Sequence, residues 1–210
     1  MSLSQAVREE REKRKQAAFV RREQDILNVA ESLMAEQGIR PVSVDIIAAH
    51  AGIGKGTIYK HFDSKHEVLL AIVLRHYATL GALLARVADP IQAITDWMEA
   101  QLHAPARTTL IYELSSLLSA DSVAMHAIRD ARDRMRRRLI QALSGQSITD
   151  AMDRALWLES VVRGALDEMQ SPLHHTDFDT ERYIDAILRA VPSVVQSSKA
   201  KKQDSRLTYL

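Results

Sequence analysis

The sequence predicts an all-α protein: an N-terminal three-helix helix-turn-helix domain, then a larger helical domain, about nine helices in all. Three observations point there. Composition is the first: 46% of the 210 residues are hydrophobic, only 5% are aromatic, and there are seven glycines and five prolines. That mix suits helices and argues against a sandwich or barrel. The second is apolar residues recurring at helical spacing between widely separated breakers. The third is the stretch Val42–Glu67, which reads as two short helices, a tight turn and the start of a longer helix.

Taken in order, residues 1–18 are a basic arm, with Arg8, Arg11, Lys13, Arg14 and Lys15 interleaved with Glu9, Glu10 and Glu12. Two readings stand: a frayed helix with i, i+4 charge pairs, or an arm that gains order on DNA. Arg21 and Arg22 open the first firm helix, which runs to about Gln37 with Ile26, Ala30, Leu33 and Met34 inward. Gly38 ends it, and Pro41 separates it from the next helix.

Ser43 is a good N-cap, and Val44, Ile47, Ala48 and Ala51 give that next helix one apolar face. Gly52 stops it, because glycine accepts the left-handed conformation of a C-terminal cap. In the following helix Ile58 and Phe62 point inward, which leaves Lys55, Gly56, Thr57, Tyr59, Lys60 and His61 outside. Ser64 and Glu67 form a capping box that opens a further helix. A helix entering a major groove needs small residues, hydroxyls and cations on its outer side, and this one has them.

The string A-G-I-G-K-G-T-I-Y-K-H-F-D-S-K, Ala51 to Lys65, closely resembles the DNA-binding signature of TetR-family transcriptional regulators. The resemblance is strong over roughly residues 20–70 and rests on length and helical pattern beyond. It implies a homodimer that binds a double-stranded DNA operator, usually as a repressor, and a C-terminal domain holding a small-molecule effector. It places Ser43, Tyr59 and Lys65 on phosphates, with Lys55, Gly56, Thr57, Lys60 and His61 completing the DNA-binding set.

The helix opened by Ser64 continues to about Val87, with Leu69, Val73, Tyr77, Leu80 and Leu84 in one stripe. Pro90 suits the first turn of a helix reaching about His103, with Ile91, Ile94, Trp97 and Met98 inward. Pro105 breaks the chain, and helices follow over about 107–119 and, capped by Asp121 or Ser122, to about Leu143. Six arginines lie between Arg129 and Arg138, but Asp130 and Asp133 interrupt them and a buried face persists, so a solvated helix is the better reading.

From Thr149 to Met169 two apolar stripes appear: Leu158, Val162, Ala165 and Met169 on one side, Trp157, Val161 and Gly164 on another. A helix apolar on two sides needs two partners. The first stripe, with Ile184 and Ile187 of the last helix, is assigned to the dimer interface. His174, His175, Asp177 and Asp179 include metal-ligand types, but Thr176 or Asp177 as an N-cap explains them without a metal. Pro192 bends or ends the last helix, and 197–210 reads as a disordered tail. The domains are then 19–66 for DNA and 67–196 for ligand and dimer.

Net charge is +1, so charge for nucleic acid must be clustered locally. No cysteine is present, which removes disulfides, thiolate zinc sites and cysteine nucleophiles. No signal peptide or membrane span is legible, which points to a cytoplasmic protein. Candidates for the effector pocket are Trp97, Tyr112, Met125, Arg129, Trp157 and Arg163, which favour an apolar or amphipathic ligand, with an anionic end for the arginines. An enzyme built on His103, His126, Glu113 and Glu159 fits no catalytic spacing. No cofactor, metal or catalytic residue is expected. A constitutive DNA binder without effector remains the alternative.

Overall fold

The structure, a computed structural model, describes residues 3–85, 89–144, 148–171 and 178–196. Among these residues there are nine α-helices and no strand: α1 (Leu3–Gln37), α2 (Val44–His50), α3 (Lys55–Ile58), α4 (Lys65–Leu83), α5 (Pro90–Leu102), α6 (Pro105–Leu118), α7 (Ser122–Leu143), α8 (Ile148–Met169) and α9 (Thr180–Gln196). Val87, Gly145, the cluster His174–Asp177 and the expected tail from Ser197 lie outside the described residues. None of the helices is long and apolar enough to cross a membrane.

The first departure from expectation is α1. It is one continuous helix of 35 residues, with no junction between an arm and a firm helix. The cause is local: the segment contains neither glycine nor proline and is dominated by Ala, Glu, Gln, Arg and Lys, all good helix formers. Exposed pairs Arg14–Glu10 at 3.1 Å and Lys15–Glu12 at 2.9 Å add to it. Burial begins only with Ile26 and Leu27.

The chain divides into two compact units, 1–76 with 106–130 and 77–105 with 131–210. In the first unit, Glu31 of α1 is 8% exposed and receives two guanidinium groups. Arg75 Nη2 of α4 donates to Glu31 Oε2 at 2.5 Å, and its Nη1 donates to Asn28 and Gln24 at 2.8 and 3.1 Å. Arg107 Nε of α6 donates to the other oxygen, Glu31 Oε1. These pairs lie 44 and 76 residues apart in sequence, so no local pattern announces them.

His76 is buried beside this cluster. Burial, and then the charge of Arg107, push its pKa down to about 4. The unfolded chain therefore binds a proton that the folded one refuses between pH 6.5 and 4. The His76 contribution to stability is complete above pH 6.5 and is lost as pH falls. We expect a loss of about 2 kcal/mol from this group between pH 8 and pH 5. Urea denaturation at both pH values checks it: a His76→Leu variant should show that much less acid sensitivity, and equal sensitivity would disprove the assignment.

In the second unit α5 packs on α8 and α9. Asp89 caps α5 by accepting from Gln92 N at 3.1 Å, with Pro90 at its first position. Glu159 of α8 accepts from Arg136 Nε and Nη2, both at 2.7 Å, and from Arg132 Nη2 at 2.9 Å. Burial alone would raise the pKa of Glu159, but the Arg136 and Arg132 hydrogen bonds outweigh it and hold it below the usual range. The arginine run of α7 is thus partly spent on α8. At the start of α9, Asp179 caps by accepting from Arg182 N at 3.0 Å; Thr176 and Asp177, the expected caps, lie outside the described residues.

Pro192 does not end α9, which runs on to Gln196. Proline removes one N–H donor and disfavours helix. Here Arg154 Nη1 covers the far end, donating to the Val194 and Val195 carbonyls at 3.1 and 3.3 Å. Arg154 itself pairs with Asp150 at 2.5 Å.

The interface stripe also needs correcting. Leu158, Val162, Ala165 and Ile184 are each at most 2% exposed within one chain, so they form the protomer's own core. Met169 and Ile187 are half-buried. The open apolar side of α8 is the other stripe, with Trp157 at 49% exposed and Leu156 and Met152 beside it. Both stripes have helical spacing, and spacing cannot tell which one the chain covers itself.

Candidate nucleic-acid interface

Two short helices and their turn build this site in the first unit. Ser43 Oγ accepts from Ile46 N at 3.3 Å and caps α2. Val44, Ile47 and Ala48 are buried. The end of α2 closes with Ile53 N donating to Ala48 O and Gly52 N to Ala49 O, at 3.0 and 3.2 Å. That paired closure needs a left-handed residue, and Gly52 supplies it with φ 63°. Gly54 opens α3, and hydrogen bonds from Tyr59, Lys60, His61 and Phe62 carry the winding past Ile58. Ile58 and Phe62 are buried, as their spacing requires.

The outer side of α3 presents Lys55, Gly56, Tyr59 and Lys60 exposed, with Thr57 half-buried. Tyr59 keeps 45% of its surface open. Gly56 is informative: a Cβ built there meets nothing within 4 Å, and its φ is not positive. Neither the backbone nor the packing needs a glycine at this point of a helix, where it costs about 0.5–1 kcal/mol relative to alanine. A small residue there is useful to an outside body that comes close.

Lys55 Nζ lies 2.8 Å from Asp45 Oδ1 of α2. The hydrogen bond and the charge of Asp45 hold its pKa above the usual lysine range. One cation of the outer face is thus already matched within the protein. Lys65 has a different attachment: its Nζ donates to the Ile39 carbonyl at 2.7 Å, tying the start of α4 to the turn after α1. Partial burial holds its pKa below the usual range. Lys65 thus serves the fold. The capping box at α4 holds, with Ser64 Oγ accepting from Glu67 N at 3.2 Å and Glu67 Oε2 from Asp63 N at 2.5 Å.

His61 is where the sequence expectation fails. Its side chain is 4% exposed and its ring stacks on Phe19 of α1, with centroids 3.9 Å apart. Its Nδ1 lies 4.0 Å from Glu23. It fastens α3 to α1 and offers nothing to a groove. The sequence also left Asp45, Phe19 and Glu23 out of the site. Phe19, an aromatic in a charged stretch, was the available signal; Asp45 had none, because its partner lies ten residues away across a turn.

One of the six effector candidates, Trp157, borders a groove. Trp97 is fully buried in the second unit, and its Nε1 has no hydrogen-bond partner among the described residues. Trp157 lines an open groove of about 510 Å³ with Asp153, Arg154, Ala190, Ser193 and Val194. Arg163 is exposed. In the first unit Tyr112 and Met125 are half-buried and Arg129 is exposed. The described residues hold no group of three or more metal-ligand side chains.

Residues 26–72 match the model of the family described as bacterial regulatory proteins, tetR family. The match starts at the first buried residue of α1 and spans the helix-turn-helix. The HTH-type transcriptional regulator UidR of Escherichia coli strain K12 is 36% identical over 69 residues, 33% of this chain and 34% of that protein. The HTH-type transcriptional repressor KstR2 of Rhodococcus jostii is 44% identical over 48 residues, 23% of this chain and 24% of that one. The chain thus spans less than half the length of these curated relatives. Among solved structures, a transcriptional regulator from Rhodococcus sp. Rha1 is 25% identical, with a TM-score of 0.63 over 83% of this chain and 96% of that one. A regulator of the same fold from Aquifex aeolicus VF5 is 19% identical, with a TM-score of 0.62 over 83% and 99%. Residues 26–72 thus carry the helix-turn-helix of the tetR family of bacterial regulatory proteins, and the described helices share the fold of solved transcriptional regulators.

Proposed function

We propose that the protein is a ligand-responsive transcriptional regulator that binds a palindromic double-stranded DNA operator as a homodimer and is released by a small-molecule effector. The carrying observation is α3, whose buried Ile58 and Phe62 turn Gly56, Thr57, Tyr59 and Lys60 outward. Repression is the preferred sign, because a protein seated on an operator blocks access by itself. One curated relative is named a repressor and another, FasR of Mycolicibacterium smegmatis, an activator. No enzymatic role is proposed, and the work is assigned to the cytoplasm.

The dimer face we propose is the open side of α8 and α9: Met152, Leu156 and Trp157 with the groove bordered by Ala190 and Ser193. Two-fold symmetry would set the recognition helices on half-sites about one helical turn, 34–36 Å, apart or a multiple of it. The effector is proposed to be apolar, with one acceptor for the buried Trp97 indole N–H. The anionic end drops out, because Arg129 and Arg163 are exposed. α4 carries residues of both units. An effector needs only different affinity for two conformations of it, and a coupling of about 1–3 kcal/mol lowers occupancy roughly five- to 150-fold.

Enrichment of duplexes from a random pool tests the reading directly; recovery of no preferred sequence sinks it. With an operator in hand, Lys60→Ala should cost about 1–3 kcal/mol and relax preference at one or two bases. Unchanged affinity and unchanged preference would remove Lys60 from base contact. Asp45→Asn should have the opposite sign. It frees Lys55 for a phosphate, so affinity should rise several-fold, with the log–log salt slope steeper by about one. A slope identical to wild type would show that freeing Lys55 adds no phosphate contact.

A further inference from the structure

We propose that the first half of α1 is a second DNA-binding element, a rigid cationic helix that lies along the phosphates of the duplex flanking each half-site. The inference rests on the DNA-binding reading above and adds a contact outside the recognition helix.

Residues 8–22 hold seven lysines and arginines against three glutamates, in a chain whose net charge is only +1. Local excess of this kind is an electrostatic footprint for a polyanion. The charges are sorted by face. Arg8, Arg11, Lys15 and Arg22 recur at spacings of three, four and seven and share one stripe. Glu9, Glu12, Phe19 and Glu23 form a neighbouring stripe, and Phe19 and Glu23 show that this one continues the side packed on α3. All described side chains from Arg8 to Arg22 are exposed, and the segment's packing contact is Phe19 on His61. A segment of this length alone would be a marginal helix; it is helical as the extension of a packed one.

Its anchor is at the recognition helix. Phe19 stacks on His61, the residue after Lys60, and Glu23 lies beside the same ring. From Phe19 back to Leu3 the helix extends about 24 Å, the axial length of roughly seven base pairs. A duplex seated on Tyr59 and Lys60 would therefore have its flank within reach of the cationic stripe. Arg14 and Lys15 pair with Glu10 and Glu12 in the free protein, but both pairs are exposed and can be exchanged for phosphates. This segment lies wholly outside the residues 26–72 that match the family.

The test uses the full chain and the duplex recovered from the random pool, in two lengths: trimmed to the enriched bases, and with about ten base pairs, roughly 34 Å, added on each side. Wild type should bind the longer duplex about tenfold tighter, with a log–log salt slope steeper by about two. In R8Q/R11Q/K15Q, where glutamine keeps helix propensity, both differences should vanish while affinity for the trimmed duplex stays within about twofold. Lys60→Ala should weaken both lengths alike. Equal binding of the two lengths by wild type, or a length effect that survives in the triple variant, overturns the proposal and leaves the recognition helix standing. Binding of wild type but not the triple variant to vesicles of anionic phospholipid, with no length effect on DNA, would give the stripe to a membrane surface and overturn it too. Failure to enrich any duplex overturns this proposal together with the function it rests on.

Discussion

Trp157→Asp is expected to give a soluble, folded monomer that has lost about 10²- to 10⁴-fold in operator affinity. The tryptophan is half exposed on the open side of α8, so the protomer does not need it for its own core. On the dimer face proposed above, a carboxylate there would be buried without a partner against the second copy, which disfavours the dimer and not the fold. The affinity loss comes from geometry. Two linked recognition helices make the second half-site an intramolecular encounter, and separating them removes that effective concentration. Val162→Asp makes the control. Val162 is 1% exposed inside the protomer, and a charge there should unfold or precipitate it. Light scattering and circular dichroism separate the two outcomes. A Trp157→Asp protein that remains dimeric would move the interface elsewhere.

Glu31→Ala is expected to cost about 3 kcal/mol of folding stability. The carboxylate sits between Arg75 and Arg107, and its removal leaves the Arg75 guanidinium facing a partly buried gap. The Arg107 side chain is 45% exposed, so water can replace what it loses, and most of the effect should belong to Arg75. Glu31→Leu separates charge from shape: it fills the gap but still strands the guanidinium, so it should recover little. Chemical denaturation reads both. A loss below about 1 kcal/mol for Glu31→Ala would mean that the cluster is solvated and does not hold α1, α4 and α6 together.

What the sequence determined by itself is what short-range physics decides. The α2 cap at Ser43, the left-handed stop at Gly52, the inward Ile58 and Phe62, the Ser64–Glu67 capping box and Pro90 at the head of α5 all depend on residues within about four positions of each other, and the structure has each of them. Helical class and the presence of a helix-turn-helix follow from such terms. The tertiary structure decided which of several equivalent faces is covered. Trp157 and Val162 both lie on apolar stripes of one helix, and only the folded chain, with α5 packed on α8, shows that Val162 is inside and Trp157 open. His61 looks outward on a helical wheel, and only Phe19, 42 positions earlier, turns it into a packed ring. Lys55 looks like a free cation until Asp45 is placed beside it. Periodicity fixes how residues are arranged around a helix axis; the direction in which that helix meets its neighbours is set by contacts between residues far apart in the chain, which no local pattern encodes.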